Sequence, residues 1–457
     1  MCTNFSIKSI QNDPFIGRTM ELGPDLGSVL FFRPKGYQFT QMIEESTLTE
    51  LRNNNDSCII PLDNLESITG VASWCGKYGF AAMNAFGQDI CADGINTAGL
   101  TTGCMVFAAS EYQKIPEAFN SGKHVIESEA NMIYYTNLSN WILSSCGDCQ
   151  DVIDGLKGVR LVKPEGSTLE EPQGNEDEKY IVTSPFCTVP NAYKFHFPVH
   201  DAKGQNIVLE YINGELIITD LAPINVLTND PEISWQQTNV INNCIGVTPY
   251  NAQDDCGYSL LIAPEKEIVE EETELCTLQK EGIDTCTLKE EQNIDTSPPV
   301  FNSRSFAQGT GFAGIPGSST PVDRFVRAAM MTNFAFKTCR EGDPIPKPDY
   351  PREVVGNPVS MAFHILNTVD IPMGTSRDFA DWKDPVNGIH DYTQWSTVSD
   401  LKKREYSIRM YHSPQVFLLK LDDLDLQELV NTHYKIPSKF SSLDITNEIR
   451  PAGLEVI

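Results

Sequence analysis

The first two residues of the chain, Met1 and Cys2, offer the most reactive group in the sequence. A small residue after Met1 favours removal of Met1, which would leave Cys2 with both a thiol and a free α-amine. A free thiol has a pKa of about 8.5 and an α-amine one of about 8, so both groups titrate near neutral pH. The amine can then accept the thiol proton, and nucleophile and base share one residue. A nearby cation favours the thiolate, and Arg18 is the candidate.

Other reactive patterns in the sequence are weaker. Cys146-Gly-Asp-Cys149 is a CxxC, which is typical of a redox pair or of half a metal site. A second CxxC at zinc-finger spacing is missing, and the histidines form no HExxH arrangement. We therefore predict no metal and no cofactor. The 13 cysteines are interpreted mostly as reduced, buried thiols.

The apolar pattern along the chain predicts blocks of strand and helix. Residues 4–10 and 15–22 alternate apolar and polar side chains around the turn at 11–14, which predicts an N-terminal hairpin. Further strands are predicted within 79–107, 195–221 and 392–424. Helical spacing of apolar residues predicts helices at 123–144, 149–159, 235–245, 323–337 and 358–369. This order favours stacked layers of sheet and helix, in an α+β or a layered α/β fold.

The composition restricts the partners that the protein can have. The formal net charge is −28 at pH 7, from 34 Lys and Arg against 62 Asp and Glu. Such a surface repels phosphate backbones and anionic headgroups, so we predict no nucleic-acid and no membrane partner. We find neither an apolar window approaching roughly 18 residues nor a secretory signal, and we expect a cytoplasmic protein.

The chain length is assigned to one large domain with two acidic insertions. A length of 457 residues exceeds the usual domain of about 150, yet we predict a single domain over residues 2–457. Insertion loops are predicted at 163–179 and at about 255–300, where acidic residues dominate. The second contains a short acidic tandem repeat at 265–296. We interpret the repeat as a solvated loop, with a partner-binding segment as the alternative.

Several short motifs follow one another along the chain. They are Met1-Cys2-Thr3; Gly17-Arg18-Thr19-Met20-Glu21-Leu22; Asp93-Gly94-Ile95-Asn96 with Gly99-Leu100; Val226-Leu227-Thr228-Asn229-Asp230-Pro231; Gly314-Ile315-Pro316-Gly317 with Arg324-Phe325-Val326-Arg327; and Tyr392-Thr393-Gln394-Trp395. Together they resemble the choloylglycine hydrolase family, which includes conjugated bile salt hydrolases and penicillin V acylases. The resemblance spans nearly the whole chain. It implies an α+β fold, the four-layer αββα sandwich of the N-terminal-nucleophile (Ntn) hydrolases, with two antiparallel sheets between helix layers. It also implies a homotetramer.

The resemblance implies a role for three residues of the hairpin. By this likeness Cys2 attacks the carbon of a linear amide, and its own α-amine carries the proton. Arg18 matches the arginine beside the thiol. Glu21 stands where the family commonly has Asp, which holds the α-amine. A straight strand sends Arg18 and Glu21 to opposite faces, so we expect a bend or bulge if both reach Cys2.

Further roles are implied for residues later in the chain. Asn229 matches the asparagine whose amide donates into the oxyanion hole, although it also suits the turn before a proline. The backbone N–H of Val106, where the family often has Asn or Tyr, is expected to complete the hole. Arg324 matches the arginine near the nucleophile, with Arg327 as its rival.

The substrate stays open on the sequence alone. Conjugated bile salts, penicillin V and other N-acyl amides such as acyl-homoserine lactones are the alternatives. Met20 and Phe107 are candidate walls of the acyl pocket or, equally, core residues. The departures at Glu21 and Val106 also motivate a second class of protein, a non-catalytic binding homologue.

Overall fold

The alternating segments at the start of the chain form the predicted hairpin. In the computed structural model, β1 (Cys2–Lys8) and β2 (Pro14–Leu22) pair antiparallel, with Cys2 opposite Met20. Asn12 closes the turn with a positive φ of 63°, a conformation that asparagine tolerates. The structure describes residues 2–40, 73–112, 132–156, 180–182, 193–246, 315–335, 337–340, 343, 357–377 and 390–440. Both predicted insertions and the repeat lie outside them.

The hairpin lies within the first of two large antiparallel sheets. This sheet has seven strands in the order β15-β1-β2-β17-β18-β19, and β16 pairs with β17. Its other strands are β15 (Val226–Leu227), β16 (Ser376–Arg377), β17 (His390–Asp400), β18 (Glu405–Met410) and β19 (Val416–Lys420). The first and last parts of the chain therefore meet in one sheet, because β2 pairs with β17.

The second sheet has nine strands in the order β14-β13-β12-β8-β7-β6-β3-β20, and β9 also pairs with β12. The strands are β3 (Leu30–Arg33), β6 (Phe80–Ala85), β7 (Ile90–Asn96), β8 (Thr101–Gly103), β9 (Met105–Val106), β12 (Phe195–His200), β13 (Asn206–Ile212), β14 (Glu215–Asp220) and β20 (His433–Tyr434). Two smaller pairs accompany the large sheets: β4 (Gln38–Thr40) with β5 (Ser73–Cys75), and β10 (Met132–Tyr134) with β11 (Tyr180–Val182).

Helices cover the outer faces of both sheets. They are α1 (Leu138–Ser145), α2 (Cys149–Gly155), α3 (Ile233–Gly246), α4 (Pro321–Phe334) and α5 (Pro358–Asn367), with short 3-10 turns at Tyr135–Asn137 and Leu421–Asp423. Helix α1 packs on β7 and β8, whereas α4 and α5 pack on strands of the first sheet. The result is the α+β fold with four αββα layers that the resemblance implied.

Local signals explain where the two helices over the first sheet begin. Thr320 caps α4 by accepting a hydrogen bond from the Asp323 N–H, and Asn357 caps α5 in the same way. In each helix the first residue is proline, whose fixed φ suits that position. None of the helices in the described part of the chain is long and apolar enough to cross a membrane.

One predicted helix is partly wrong. The apolar pattern favoured a helix over 123–144, but Met132–Tyr134 forms the strand β10, and helix α1 covers only Leu138–Ser145. The pairing of β10 with β11 is the cause, because the ladder to residues almost fifty positions later replaces the helical hydrogen bonds. Residues 123–131 lie outside the described part of the chain.

Candidate active site

Cys2 stands at the start of β1, and three groups converge on it. Its main-chain nitrogen donates to Asn229 Oδ1 at 2.7 Å, and its carbonyl accepts from Arg324 Nη1 at 2.7 Å. Its sulfur lies 3.7 Å from Met20 Sδ. Cys2 is 1% exposed.

Arg18 lies on the face of β2 that looks toward the second sheet. Its Nη2 donates to the Cys104 carbonyl at 2.5 Å, and its Nη1 lies 3.6 Å from Asp93 Oδ1. Burial disfavours the charge, but Asp93 and then the Cys2 thiol favour it, and the pKa of Arg18 is raised above its usual value. A side chain at residue 103 would collide with the guanidinium, since a Cβ built there lies 2.2 Å from Nη1. Gly103 therefore makes room for the cation.

Asp93, on β7, is the counter-ion of Arg18 and belongs to a buried polar cluster between the sheets. Its Oδ2 accepts hydrogen bonds from Thr397 Oγ1 at 2.8 Å and from the Tyr406 hydroxyl at 2.6 Å. Burial raises the pKa of Asp93, although Arg18 opposes this. In the sequence, Asp93 belongs to a family motif but has no predicted role. In the structure it is 4% exposed and forms an ion pair with Arg18.

Glu21 and Arg324 form a second charged pair on the opposite face of β2, under helix α4. Glu21 Oε1 accepts from Thr393 Oγ1 at 2.9 Å, and its Oε2 lies 4.0 Å from Arg324 Nη1. Arg324 also donates to Thr3 Oγ1 at 2.6 Å and to Asn229 Oδ1 at 2.9 Å. Burial raises the pKa of Glu21 and lowers that of Arg324, and each charge opposes the shift of the other.

Arg324 and Arg327 are distinguished by their contacts. Arg324 is fully buried and reaches Cys2 and Asn229. Arg327, three residues later on α4, donates to the carbonyls of Thr368 and Pro316 at 2.6 and 2.7 Å. Of the two arginines, Arg324 is the one beside Cys2.

The expected bend in β2 is not present. Strand β2 pairs with β1 in unbroken register from Pro14 to Met20, and Arg18 and Glu21 simply occupy opposite faces. The irregularity lies on the neighbouring strand β17, where the register shifts between Thr393 and Trp395. This bulge lets Thr393 face Glu21 while Trp395 lies on the face of Arg18. The Trp395 ring centroid is 5.9 Å from the guanidinium carbon of Arg18.

Asn229 and Val106 meet at the edge between the sheets. Asn229 Nδ2 donates to the Val106 carbonyl at 2.6 Å, and its Oδ1 accepts from two donors, which fixes the orientation of the amide. Phe107 N–H donates to the Lys194 carbonyl, so Val106 forms a non-hydrogen-bonded pair with Phe195. The N–H and C=O of Val106 therefore both point away from β12. Because its C=O meets Asn229, its N–H is directed toward the same side.

The two candidate pocket residues occupy different surroundings. Met20 is 5% exposed and touches the Cys2 sulfur. Phe107 is fully buried and stacks on the His196 ring, with ring centroids 4.7 Å apart. Met20 thus lies beside the Cys2 sulfur, whereas Phe107 packs against His196, a residue outside the family motifs. The available signal was the spacing of His196 and His200, which stand four residues apart on a predicted strand and therefore share one face.

The CxxC cysteines lie away from this site. Cys146 and Cys149 are buried beside helix α2, and Cys149 Sγ contacts the carbonyls of Val199 and Gln205. Burial raises the pKa of the Cys149 thiol, which disfavours the reactive thiolate. Within the described ranges, no cluster of three or more His, Cys, Asp or Glu could hold a metal ion.

Taken together, the fold and this site define a class of protein. Two antiparallel sheets between helix layers, with Cys2 at the start of a strand among Arg18, Asn229 and Arg324, are features of the Ntn-hydrolase fold. A model of the linear amide C–N hydrolases, choloylglycine hydrolase family, matches residues 2–257 and 287–434. The chain belongs to this family of enzymes.

Known relatives resemble the chain over nearly its full length. A bile salt hydrolase/transferase of Clostridium perfringens is 23% identical over 438 residues, which cover 95% of this chain and 97% of the relative. The crystal structure of a variant of the conjugated bile acid hydrolase from the same organism superposes with a TM-score of 0.60, at 20% identity over 98% of this chain and all of that one. A penicillin V acylase from Agrobacterium tumefaciens has a TM-score of 0.55, at 18% identity over 97% of this chain and all of that one.

Proposed function

We propose that Met1 is removed and that Cys2, with its freed α-amine, hydrolyses the linear amide bond of an N-acyl substrate. The observation that carries this proposal is the convergence of Asn229, Arg324 and Met20 on the nitrogen, carbonyl and sulfur of Cys2. Arg18 adds the positive field that favours a thiolate. The arrangement brings a nucleophile, a base and cations to one residue.

The reaction follows from these groups. The α-amine takes the thiol proton, and the thiolate attacks the amide carbon to form a tetrahedral adduct. Asn229 Nδ2 and the Val106 N–H are the proposed donors to the oxyanion. One such donor typically contributes about 10²–10³ in kcat. The α-ammonium then protonates the leaving amine, the C–N bond breaks, and water hydrolyses the acyl thioester to free the acid and Cys2.

The supporting side chains divide the remaining roles. Arg18 stabilises the thiolate from the face between the sheets. Glu21 balances the charge of Arg324 on the other face, and Arg324 holds Asn229 Oδ1 and the Cys2 carbonyl. We assign Met20 to the wall of the acyl pocket because it contacts the sulfur. Phe107, which we also assign to this wall, supports it from the core.

For the substrate, we propose a conjugated bile salt. The relatives that hydrolyse bile salts by name cover nearly the whole chain, which supports this choice. Penicillin V is the second candidate because an acylase for it shares the fold. Acyl-homoserine lactones complete the set that a substrate panel has to distinguish.

The decisive experiment combines mass spectrometry with a substrate panel. We expect the intact mass of the purified protein to lack Met1, and iodoacetamide to modify Cys2 and abolish amide hydrolysis. Release of amine from a glycine- or taurine-conjugated bile salt, penicillin V and an acyl-homoserine lactone would be compared between wild type, Cys2→Ser and Cys2→Ala. Turnover by Cys2→Ala equal to wild type, or a wild type that retains Met1 and only binds these compounds, would overturn the proposal.

We further propose one domain over residues 2–457 with surface insertions at 163–179 and about 255–300. The family model leaves out residues 258–286, which supports the second insertion. We also propose a homotetramer that works in the cytoplasm, in keeping with the resemblance. Light scattering on the purified protein tests the tetramer, and deletion of residues 265–296 with retained turnover tests the insertion.

A further inference from the structure

His196 contacts the neighbours of both proposed oxyanion donors. It is fully buried on β12 of the second sheet, and its Nε2 lies 2.9 Å from the Thr228 carbonyl, directly before Asn229. Its ring stacks on Phe107 with an angle of 15° between the planes, directly after Val106. A single imidazole thus touches both chain segments that carry an oxyanion donor.

Glu210 holds the other side of the imidazole. Its Oε1 lies 3.2 Å from His196 Nδ1, and the strands that carry the two residues, β13 and β12, pair antiparallel. A carbonyl only accepts, so Nε2 must carry the hydrogen that binds Thr228. At the other ring nitrogen, Nδ1 faces the Glu210 carboxylate, so each ring nitrogen has an oxygen partner. The pair is therefore oriented at both ring nitrogens.

The same pair binds both ends of the segment that carries Asn229. His196 binds the Thr228 carbonyl at its start, and Glu210 accepts from the Ile233 N–H at 3.1 and 3.3 Å at its end, where helix α3 begins. Asp230 links this segment to the residues that follow Val106, because its two carboxylate oxygens accept hydrogen bonds from the Ala108 and Ala109 N–H groups at 3.0 Å each. His196, Glu210 and Asp230 therefore add contacts that link the two chain segments to the direct hydrogen bond between Asn229 and the Val106 carbonyl.

We propose that His196, oriented by Glu210, is a positioning residue that sets the Asn229 amide and the Val106 N–H at the separation an oxyanion needs. This inference rests on the proposed function, since it assigns a task within that oxyanion hole. Preorganised donors stabilise charge only when they already stand where the charge develops. A displacement of the Thr228 carbonyl would move Asn229 without removing any reacting group.

Two substitutions separate positioning from simple packing. The amide nitrogen of His196→Gln falls near Nε2 and keeps the donor to Thr228, whereas that of His196→Asn falls near Nδ1 and keeps only the donor to Glu210. We expect His196→Asn to lower kcat about tenfold to a hundredfold while KM changes less than about threefold. We expect His196→Gln to stay within about threefold of wild type. The alkylation rate of Cys2 should be unchanged in both variants.

His200→Asn is the matched control, because His200 is equally buried on the same face of β12 but binds Asn4 and Asn206. It should lower the melting temperature and leave kcat unchanged. Equal losses in the Asn and Gln variants, or a change in KM alone, would show that His196 only packs. If the Asn variant does not fold, a folded Gln variant that loses more than about tenfold in kcat refutes the proposal by itself.

The outcome also separates this inference from the function on which it rests. If the wild-type protein hydrolyses no N-acyl amide, both the proposed function and this inference are refuted. If the wild type hydrolyses an N-acyl amide and His196→Asn is equally active, only this inference is refuted. The kcat of the wild type is therefore measured before the variants are compared.

Discussion

Arg18 and Glu21 stand three residues apart on β2 and extend to opposite faces of the first sheet. Arg18 pairs with Asp93 at 3.6 Å between the sheets, and Glu21 pairs with Arg324 at 4.0 Å under helix α4. Cys2 lies beside both pairs. Arg324 donates a hydrogen bond to its carbonyl, and the Cys2 sulfur contributes to the raised pKa of Arg18. The sheet thus separates the cation on the side of the Cys2 sulfur from the groups that bind the main chain of Cys2.

Loss of the Arg18 cation between the two sheets should slow the reactions of the Cys2 sulfur. We expect Arg18→Gln to lower the rate at which iodoacetamide modifies Cys2 at pH 7 by about tenfold, because the buried cation that interacts with the Cys2 sulfur is lost. Amide turnover should fall at least as far. Arg409→Gln is the control, since Arg409 binds Asn367 and Asp370 away from the site. An unchanged alkylation rate in a folded Arg18→Gln protein would contradict this role.

The charge of Glu21 is tested by stability. Both Glu21 and Arg324 are 0% exposed, so Glu21→Gln should leave a buried, uncompensated guanidinium and lower the free energy of unfolding by about 3–5 kcal/mol. Glu21→Asp keeps the charge and should cost less. Urea denaturation at pH 7 measures both. Because burial raises the pKa of Glu21, a loss below about 1 kcal/mol in Glu21→Gln would mean that the carboxyl is neutral in the folded protein.

Two buried tyrosines give a matched test of the cluster around Asp93. The Tyr406 hydroxyl donates to Asp93 Oδ2 at 2.6 Å, whereas the Tyr211 hydroxyl has no hydrogen-bond partner among the described residues. Tyr406→Phe should lower the free energy of unfolding by about 1.5–3 kcal/mol, the usual contribution of a hydrogen bond to a charged group. Tyr211→Phe should be neutral or stabilising. Equal effects of the two substitutions in urea denaturation would refute this difference.

His200 should make the stability depend on pH between 6.5 and about 4. Burial lowers the pKa of this histidine from 6.5 to about 4, so the unfolded chain binds its proton first as the pH falls. Stability therefore decreases as the pH drops through this range, by about 3 kcal/mol from this residue. Denaturation of His200→Asn should show a correspondingly shallower loss of stability over the same pH range. Parallel curves for wild type and His200→Asn would contradict the assignment.

Much of the architecture was predictable because it depends on local chemistry. Alternating side chains and the turn residues predicted the hairpin of β1 and β2, and the helical spacing of apolar residues predicted α4 and α5. The error at Met132–Tyr134 has a physical cause, since an apolar run of that length suits either a helix or a paired strand. The strand that pairs with it, at 180–182, decided the outcome.

The sequence by itself determined the candidate nucleophile Cys2, the order of the family motifs and the class of fold, because residue type and short spacings carry that information. Only the tertiary structure decided that Arg324 rather than Arg327 meets Cys2, that Asp93 pairs with Arg18, and that His196 lies against Thr228. These contacts join residues far apart in the chain. They depend on how two sheets and a helix layer pack, and no local periodicity encodes the register between layers.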